Sequence, residues 1–328
     1  MNFTQFQQFR EKLLPERPNV VDCAGTNLYA ALARFIPPAT TPPAQTVHRC
    51  HLATDWTARF DLPPELASRA LISCGVRDSL ALLFRHYAGE KAQLWLPVDT
   101  YPVYGELARA AGLIPHEFVT LPEPAWPNSQ PIPEAELLVV TNPLKPLGRW
   151  LSPSDVAALI AWLDMNPRRR LLLDTVYTFE TRFHPTTLQL RATQQTILLH
   201  SLTKGWLHPR LFGVALVPER DAAALAPVFR TQPPPQSNLA RARELMAQHT
   251  GMPATISREL DLARPRLLSS IPQHVTPLTM ADAPGYFTPV AGRWQDILNG
   301  SNVLGLPATV FGSRCEDITV LSSLSFFT

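Results

Sequence analysis

Short apolar runs alternate with helix-period segments through the middle of this 328-residue chain. Runs at 70–74, 93–97, 114–120, 136–141, 170–174, 196–201 and 213–217 each stop at turn or capping residues. Several are continuously apolar, as strands covered on both faces are. Between them, 78–87, 103–111 and 153–164 carry apolar residues at helical spacing. The last opens with Ser152-Pro153, a serine cap followed by proline at the first helical position. Strand–helix alternation of this kind predicts an α/β fold, a mostly parallel seven-stranded sheet with helices on both faces.

Two proline-rich stretches bracket that pattern, 37–43 and Pro233-Pro234-Pro235, and read as stiff connections. Beyond the second, 237–249 reads as a serine-capped helix, and 285–290 and 318–325 as strands of a smaller α+β unit. The expected division is an N-terminal segment, 1–45, packing with a small C-terminal domain, 236–328, around a large domain, 46–235. No internal repeat is visible.

Composition narrows the function. A hydrophobic content of 45% is enough for a large core, and a net charge of +2 gives no reason to expect nucleic acid. The one basic run, Arg168-Arg169-Arg170, precedes a strand and reads as a solvated strand entrance. No apolar run reaches the roughly 20 residues of a membrane span. The first residues show no leader pattern, so a cytoplasmic location is expected. Cys23, Cys50, Cys74 and Cys315 are far apart, form no CxxC pair, and suit free thiols better than disulfides or a metal.

The candidate chemistry sits at strand ends, where open parallel sheets bind ligands. Leu137–Val140 runs into Thr141-Asn142-Pro143, Leu171–Leu173 into Asp174, and Ile197–His200 into Ser201-Leu202-Thr203-Lys204. Singly these are a turn initiator, a helix cap and a solvated turn as readily as a site. In this order they are far more specific.

Together they resemble class I/II aminotransferases of the fold-type-I pyridoxal-phosphate (PLP) enzymes, histidinol-phosphate-aminotransferase-like members especially. Residues 141–148 resemble the Asn-Pro-x-x-Pro-Thr-Gly loop, Asp174–Tyr177 the Asp-x-x-Tyr segment, and Ser201–Lys204 the Ser-x-Ser/Thr-Lys motif. Residues 97–104 look like the Pro-x-Tyr-Pro-x-Tyr segment, and Gly75–Asp78 like the turn before the first large-domain helix. The similarity spans roughly 70–218.

The resemblance implies a PLP cofactor bound to Lys204 as a Schiff base, with Lys204 then the general acid–base. It implies that Asp174 pairs with the pyridine nitrogen, that Asn142 and Tyr177 bond the ring oxygen, and that Tyr101 stacks on the ring. The amides of Val76 and Arg77, with Ser201 and Arg210, would meet the phosphate. Amino-acid and keto-acid substrates, no metal, and a homodimer with its site at the boundary are implied too.

Three departures stand out. In the family an Arg-x-Gly follows seven residues after the lysine; here Arg210 and Gly213 are spaced differently, and Trp206 and His208 either face substrate or pack the rebuilt loop. The C-terminal strand at 317–323 lacks the arginine that binds substrate carboxylate, which leaves Arg314, then the Gly25-Thr26-Asn27 turn, as candidates. The tyrosine that reaches a partner's phosphate has no clear match, and His48 or Arg49 stands nearest.

The leading expectation is an amino-acid aminotransferase. The runner-up is another PLP reaction on the same fold: a decarboxylation, a β/γ-elimination or replacement, or an oxidase or cyclase of a specialised pathway. A non-catalytic effector domain is disfavoured because Lys204 and Asp174 are both kept. A dinucleotide-binding protein is disfavoured because no G-x-G-x-x-G follows any strand.

Overall fold

The computed structural model describes residues 1–38, 46–100, 102–128, 130, 132–279 and 283–327. Most of the first proline-rich stretch lies outside them. The chain opens with helix α1 (Phe3–Glu16), strand β1 (Val21–Asp22) and short helix α2 (Leu28–Ala31), followed by α3 (Arg49–Arg59). Then come β2 (Ala70–Ser73), α4 (Val76–Gly89), β3 (Gln93–Pro97), α5 (Val103–Ala110), β4 (Pro115–Phe118), β5 (Glu136–Thr141), α6 (Pro153–Asp164), β6 (Arg169–Asp174), α7 (Pro185–Arg191), β7 (Thr196–Ser201) and β8 (Gly213–Leu216). All seven strands expected in the middle of the chain are present. They form one sheet in the order β2-β8-β7-β6-β5-β3-β4, in which β8 alone runs against the rest.

The sheet is buried on both faces because its strands are apolar at successive positions and a strand alternates sides. Leu138, Val140, Leu171, Leu173 and Leu198 face one core with α3, α6 and α9. Leu137, Val139, Leu172, Ile197 and Leu199 face the other with α4, α5 and α8. At the start of α6, Ser152 Oγ accepts the Asp155 N–H at 3.1 Å while Asp155 Oδ2 accepts the Ser152 N–H at 2.8 Å. This reciprocal cap sets where the helix begins.

After β8 follow α8 (Glu219–Arg230), α9 (Gln236–Gln248) and α10 (Met252–Ser270), then β9 (Phe287–Ala291), α11 (Trp294–Ser301), β10 (Val303–Leu304), β11 (Leu306–Pro307) and β12 (Ile318–Ser322). Strands β11, β12 and β9 make a three-stranded antiparallel sheet, and β1 pairs in parallel with β10. Residues of α1 and α2 share a core with this small unit through Phe6, Leu28, Leu304, Leu306 and Val320.

Three readings of the sequence need correcting. Helix α9 follows Pro235 with no side-chain cap, and its Leu239, Leu245 and Met246 pack into the large-sheet core, so packing changes hands after α9 rather than at residue 236. The expected strand at 318–325 ends at Ser322 and turns into a 3-10 helix, Ser323–Phe326. Of the basic run only Arg168 is exposed. Arg169 is fully buried, with Nε donating to Glu136 Oε2 at 2.7 Å and Nη1 to the Trp162 carbonyl at 2.7 Å. Arg170 pairs with Asp221 at 2.6 Å. Buried charges persist only when paired and hydrogen-bonded.

Removing one partner of such a pair strands the other. Glu136→Gln is therefore expected to lower stability by about 3 kcal/mol. The midpoint of urea unfolding, at unchanged slope, measures it.

Candidate active site

A cavity of about 820 Å³ opens at the C-terminal ends of the parallel strands, between the large sheet and the segments carrying residues 3–29 and 286–311. It is lined by Lys204, Asp174, Tyr177, Val76, Arg77, Ser201 and Arg210, all proposed from the sequence. Each comes from a strand end or the turn beyond it: Asp174 from β6, Ser201 and Lys204 from β7, Val76 and Arg77 from the first turn of α4.

The Gly75 turn is shaped by its neighbours. Ser73 Oγ donates to the Gly75 carbonyl at 3.0 Å, and Asp78 Oδ2 accepts the Cys74 N–H at 3.2 Å. Gly75 has φ +151°, and a Cβ on Gly213 would fall 2.4 Å from the Gly75 Cα. Two backbones touch there, so no side chain fits between them. The leading amides of a helix have no carbonyl partner within the helix, and those of α4 begin at this cavity wall.

Asp174 is 5% exposed. Its Oδ2 accepts Tyr104 Oη at 2.5 Å and its Oδ1 accepts the Val176 N–H at 3.0 Å. Burial raises its pKa, while those two bonds and the charges of Lys145 and Lys204 oppose the rise. Lys204 Nζ lies 4.8 Å from the Tyr29 ring centre and 5.5 Å from that of Tyr177. Burial lowers its pKa to about 8, against the pull of Asp174. Tyr177 Oη shares a hydrogen bond of 2.9 Å with Tyr286 Oη, and burial first, then Tyr286, raises its pKa well above the ordinary value.

Other expected residues are not brought together here. Asn142 turns into the protein: its amide donates to Thr187 Oγ1 at 2.8 Å and Thr186 Oγ1 at 3.1 Å, and its oxygen accepts the Leu151 N–H at 3.0 Å. With every polar atom engaged in shaping the 141–151 loop, it does not line the cavity. Arg314 is 82% exposed and faces Glu117 on β4 at 4.0 Å. Asn27 is exposed, and its side chain caps α2 through the Ala30 N–H at 3.2 Å. Trp206 is 2% exposed and donates to the carbonyls of Leu245 and His249 at 3.0 Å, so it packs the loop, and His208 does not reach the lining either. His48 precedes α3 beside His51, and Arg49 donates to the Phe229 carbonyl at 3.3 Å. Tyr101 lies outside the described residues.

Sequence reading gave no role to Tyr104, Lys145, Tyr29 and Tyr286, which also line the cavity. One signal was available for Lys145. The chain has only four lysines, Lys12, Lys91, Lys145 and Lys204, and two of them are in this cavity.

No protein-family model matches the sequence, and no curated protein does. Solved structures match along nearly the whole chain. A double mutant of Thermus thermophilus aspartate aminotransferase is 18% identical with a TM-score of 0.71, covering 99% of this chain and 92% of its own. The chain has the aminotransferase fold. Pyrococcus horikoshii aromatic aminotransferase matches it at 14% identity and a TM-score of 0.68, over 94% of this chain and 91% of that one. YbdL from Escherichia coli, which has a methionine aminotransferase function, matches at 15% identity and a TM-score of 0.68, over 96% and 92%. At such identities the shared property is the fold, fold type I with its mixed α/β seven-stranded sheet, as the strand-end motifs led one to expect. Among the described residues, no helix is long and apolar enough to cross a membrane, and no group of His, Cys, Asp and Glu side chains is placed to hold a metal.

Only the neutral form of an amine attacks an electrophile. In protein stripped of any bound ligand, labelling of Lys204 by a small amine-selective reagent is thus expected to rise about tenfold per pH unit and level off above pH 8, following a pKa of about 8. Mass spectrometry of the peptide containing Lys204, across pH 6 to 10 in roughly half-unit steps, gives the profile.

Proposed function

We propose that this protein is a PLP-dependent aminotransferase, moving the amino group of an amino acid to a keto acid. One observation carries the reading: the Lys204 amine and the Asp174 carboxylate share a buried cavity below the Gly75 turn, in the aminotransferase fold. Matches to aspartate, aromatic and methionine aminotransferases support the reaction class without naming a substrate.

The residues present fit the cofactor. Gly75, Val76 and Arg77, with Ser201, Thr203 and Arg210, make an end of the cavity rich in donors, suited to a phosphate. Asp174 offers a buried anion for a protonated ring nitrogen. Two of its lone-pair sites are taken by Tyr104 and Val176, which leaves others free. When bound, PLP supplies an aldehyde that condenses with amines and a ring that accepts the electron pair left on a substrate carbon.

Lys204 is the amine that holds the cofactor. With a substrate amine in its place, the freed Nζ would be positioned to carry a proton from one substrate atom to the next. A pKa near 8 suits both tasks, because its two protonation states then lie within about 1.4 kcal/mol of each other at neutral pH. Asp174 keeps the ring nitrogen protonated, and Tyr104 fixes the direction of that carboxylate. Tyr29, Tyr177 and Tyr286 exclude water from the amine with their rings, which strengthens the charge interactions inside.

Reducing the purified protein with borohydride should leave PLP on the Lys204 peptide, and Lys204→Ala should carry no such adduct. An adduct persisting in that variant moves the attachment elsewhere. Asp174→Asn is expected to slow turnover by about three orders of magnitude or more in a folded protein, as measured by amino-acid-dependent keto-acid formation. Added amino acid should shift the cofactor absorption and keto acid should restore it. A one-way change with loss of CO₂ or of a side-chain group would instead assign a decarboxylation or an elimination.

A further inference from the structure

We propose that Lys145 is the carboxylate anchor of this site, and that the amino acid it anchors has an apolar rather than a second acidic side chain. The inference rests on the aminotransferase reading and names its substrate class.

The position of Lys145 is set by a short, closed loop. Its N–H donates to Thr141 Oγ1 at 3.0 Å, and the chain returns through the Gly148 N–H, which donates to the Leu144 carbonyl at 2.7 Å. The side chain enters the cavity against the Tyr177 ring, with Nζ 5.1 Å from the centre of the Tyr286 ring and 5.5 Å from that of Phe287. This nitrogen is buried, and among the described residues it has no hydrogen-bond partner. Ring faces attract an ammonium but offer it no lone pair, and buried polar groups are nearly always bonded to something. Asp174, whose charge acts on Lys145, makes no hydrogen bond to it. An acceptor supplied by a ligand is the missing partner.

The other cations of the cavity are committed. Arg77 and Arg210 stand with the Gly75 turn, and Lys204 is the amine for the cofactor. Arg314 points to solvent. That leaves Lys145 to meet a substrate carboxylate. Burial and the charge of Lys204 hold its own pKa well below that of a free lysine. A carboxylate bound beside it would oppose both effects. Of the chain's 29 basic residues four are lysine, so a lysine here departs from its habit.

The Phe287 ring beside Lys145 lies 5.8 Å from that of Phe311, and Phe3, Tyr29 and Val310 line the same cavity; none of these five has an acidic or basic side chain of the Asp, Glu, Lys or Arg kind. A second carboxylate would lose its water there with nothing to pair with. An apolar side chain would gain by the same burial.

Isothermal calorimetry on the cofactor-loaded protein tests both parts with three probes: 3-phenylpropionate, succinate and 2-phenylethylamine. The wild type should bind 3-phenylpropionate more tightly than succinate. Lys145→Met, with Lys145→Gln as a polar control, should lower affinity for 3-phenylpropionate about 100-fold. Binding of 2-phenylethylamine and the mass of the reduced Lys204 adduct should stay unchanged. Undiminished binding of 3-phenylpropionate by both variants overturns the anchor, and tighter binding of succinate by the wild type overturns the substrate class. A changed cofactor absorption with carboxylate affinity intact would give Lys145 to the cofactor ring and also overturn the anchor. If the wild type forms no Lys204 adduct, the aminotransferase reading fails, while calorimetry still answers for Lys145.

Discussion

A single buried carboxylate sets the electrostatics of this protein's cavity. Asp174 faces two lysines from the end of a strand that cannot move, since β6 is hydrogen-bonded on both sides and apolar on both faces. Burial disfavours charge on all three groups, the charge of Lys204 adds to the lowering at Lys145, and Asp174 opposes the lowering at both lysines. Hydrogen bonds from Tyr104 and Val176 keep that carboxylate in place.

The fold was legible because it is written in local terms. Strands covered on both faces read as unbroken apolar runs, and each of the seven was found within a few residues of its observed ends. Candidate positions at those ends were legible for the same reason: Asp174 and Lys204 follow apolar runs, and both line the cavity. What was not legible is set by contacts distant in sequence. Arg169 looked solvent-bound until Glu136, 33 positions earlier, was found beside it. Asn142 occupies a motif position but is claimed by Thr186 and Thr187. Arg314 was a candidate by proximity in sequence to an arginine-free strand, and its loop turns outward. Lys145 sat in the quoted motif without attracting notice, because a lysine between two prolines looks like an exposed turn.

Tyr286 and Phe287 are tightly held at the cavity. Arg264, buried in α10, donates to Thr288 Oγ1 at 2.7 Å and to the Gly285 carbonyl at 2.6 Å. This braces Tyr286 and Phe287 from behind. From the front, the Phe287 carbonyl lies where a Cβ of Gly148 would be, at 2.5 Å, and Gly148 has φ +71°. The aromatic lid over Lys145 is thereby clamped between α10 and Gly148. A rigid lid makes the apolar wall a fixed shape rather than an adaptable one.

The connection from β7 to β8 has a different character. These strands are antiparallel neighbours, so the loop from Leu202 to Phe212 leaves and re-enters the sheet at one edge of the cavity. Its two feet are fixed, Lys204 by the strand before it and Gly213 by contact with Gly75. What lies between is held by burial of Trp206, Leu207 and Leu211, each at most 2% exposed. Closing a longer loop costs little, roughly 0.6 kcal/mol for each doubling of length, but moving those three side chains out of the core costs more. The arch can therefore change length only between its buried anchors, so its tolerance for insertion is confined to the few exposed positions around Pro209 and Arg210.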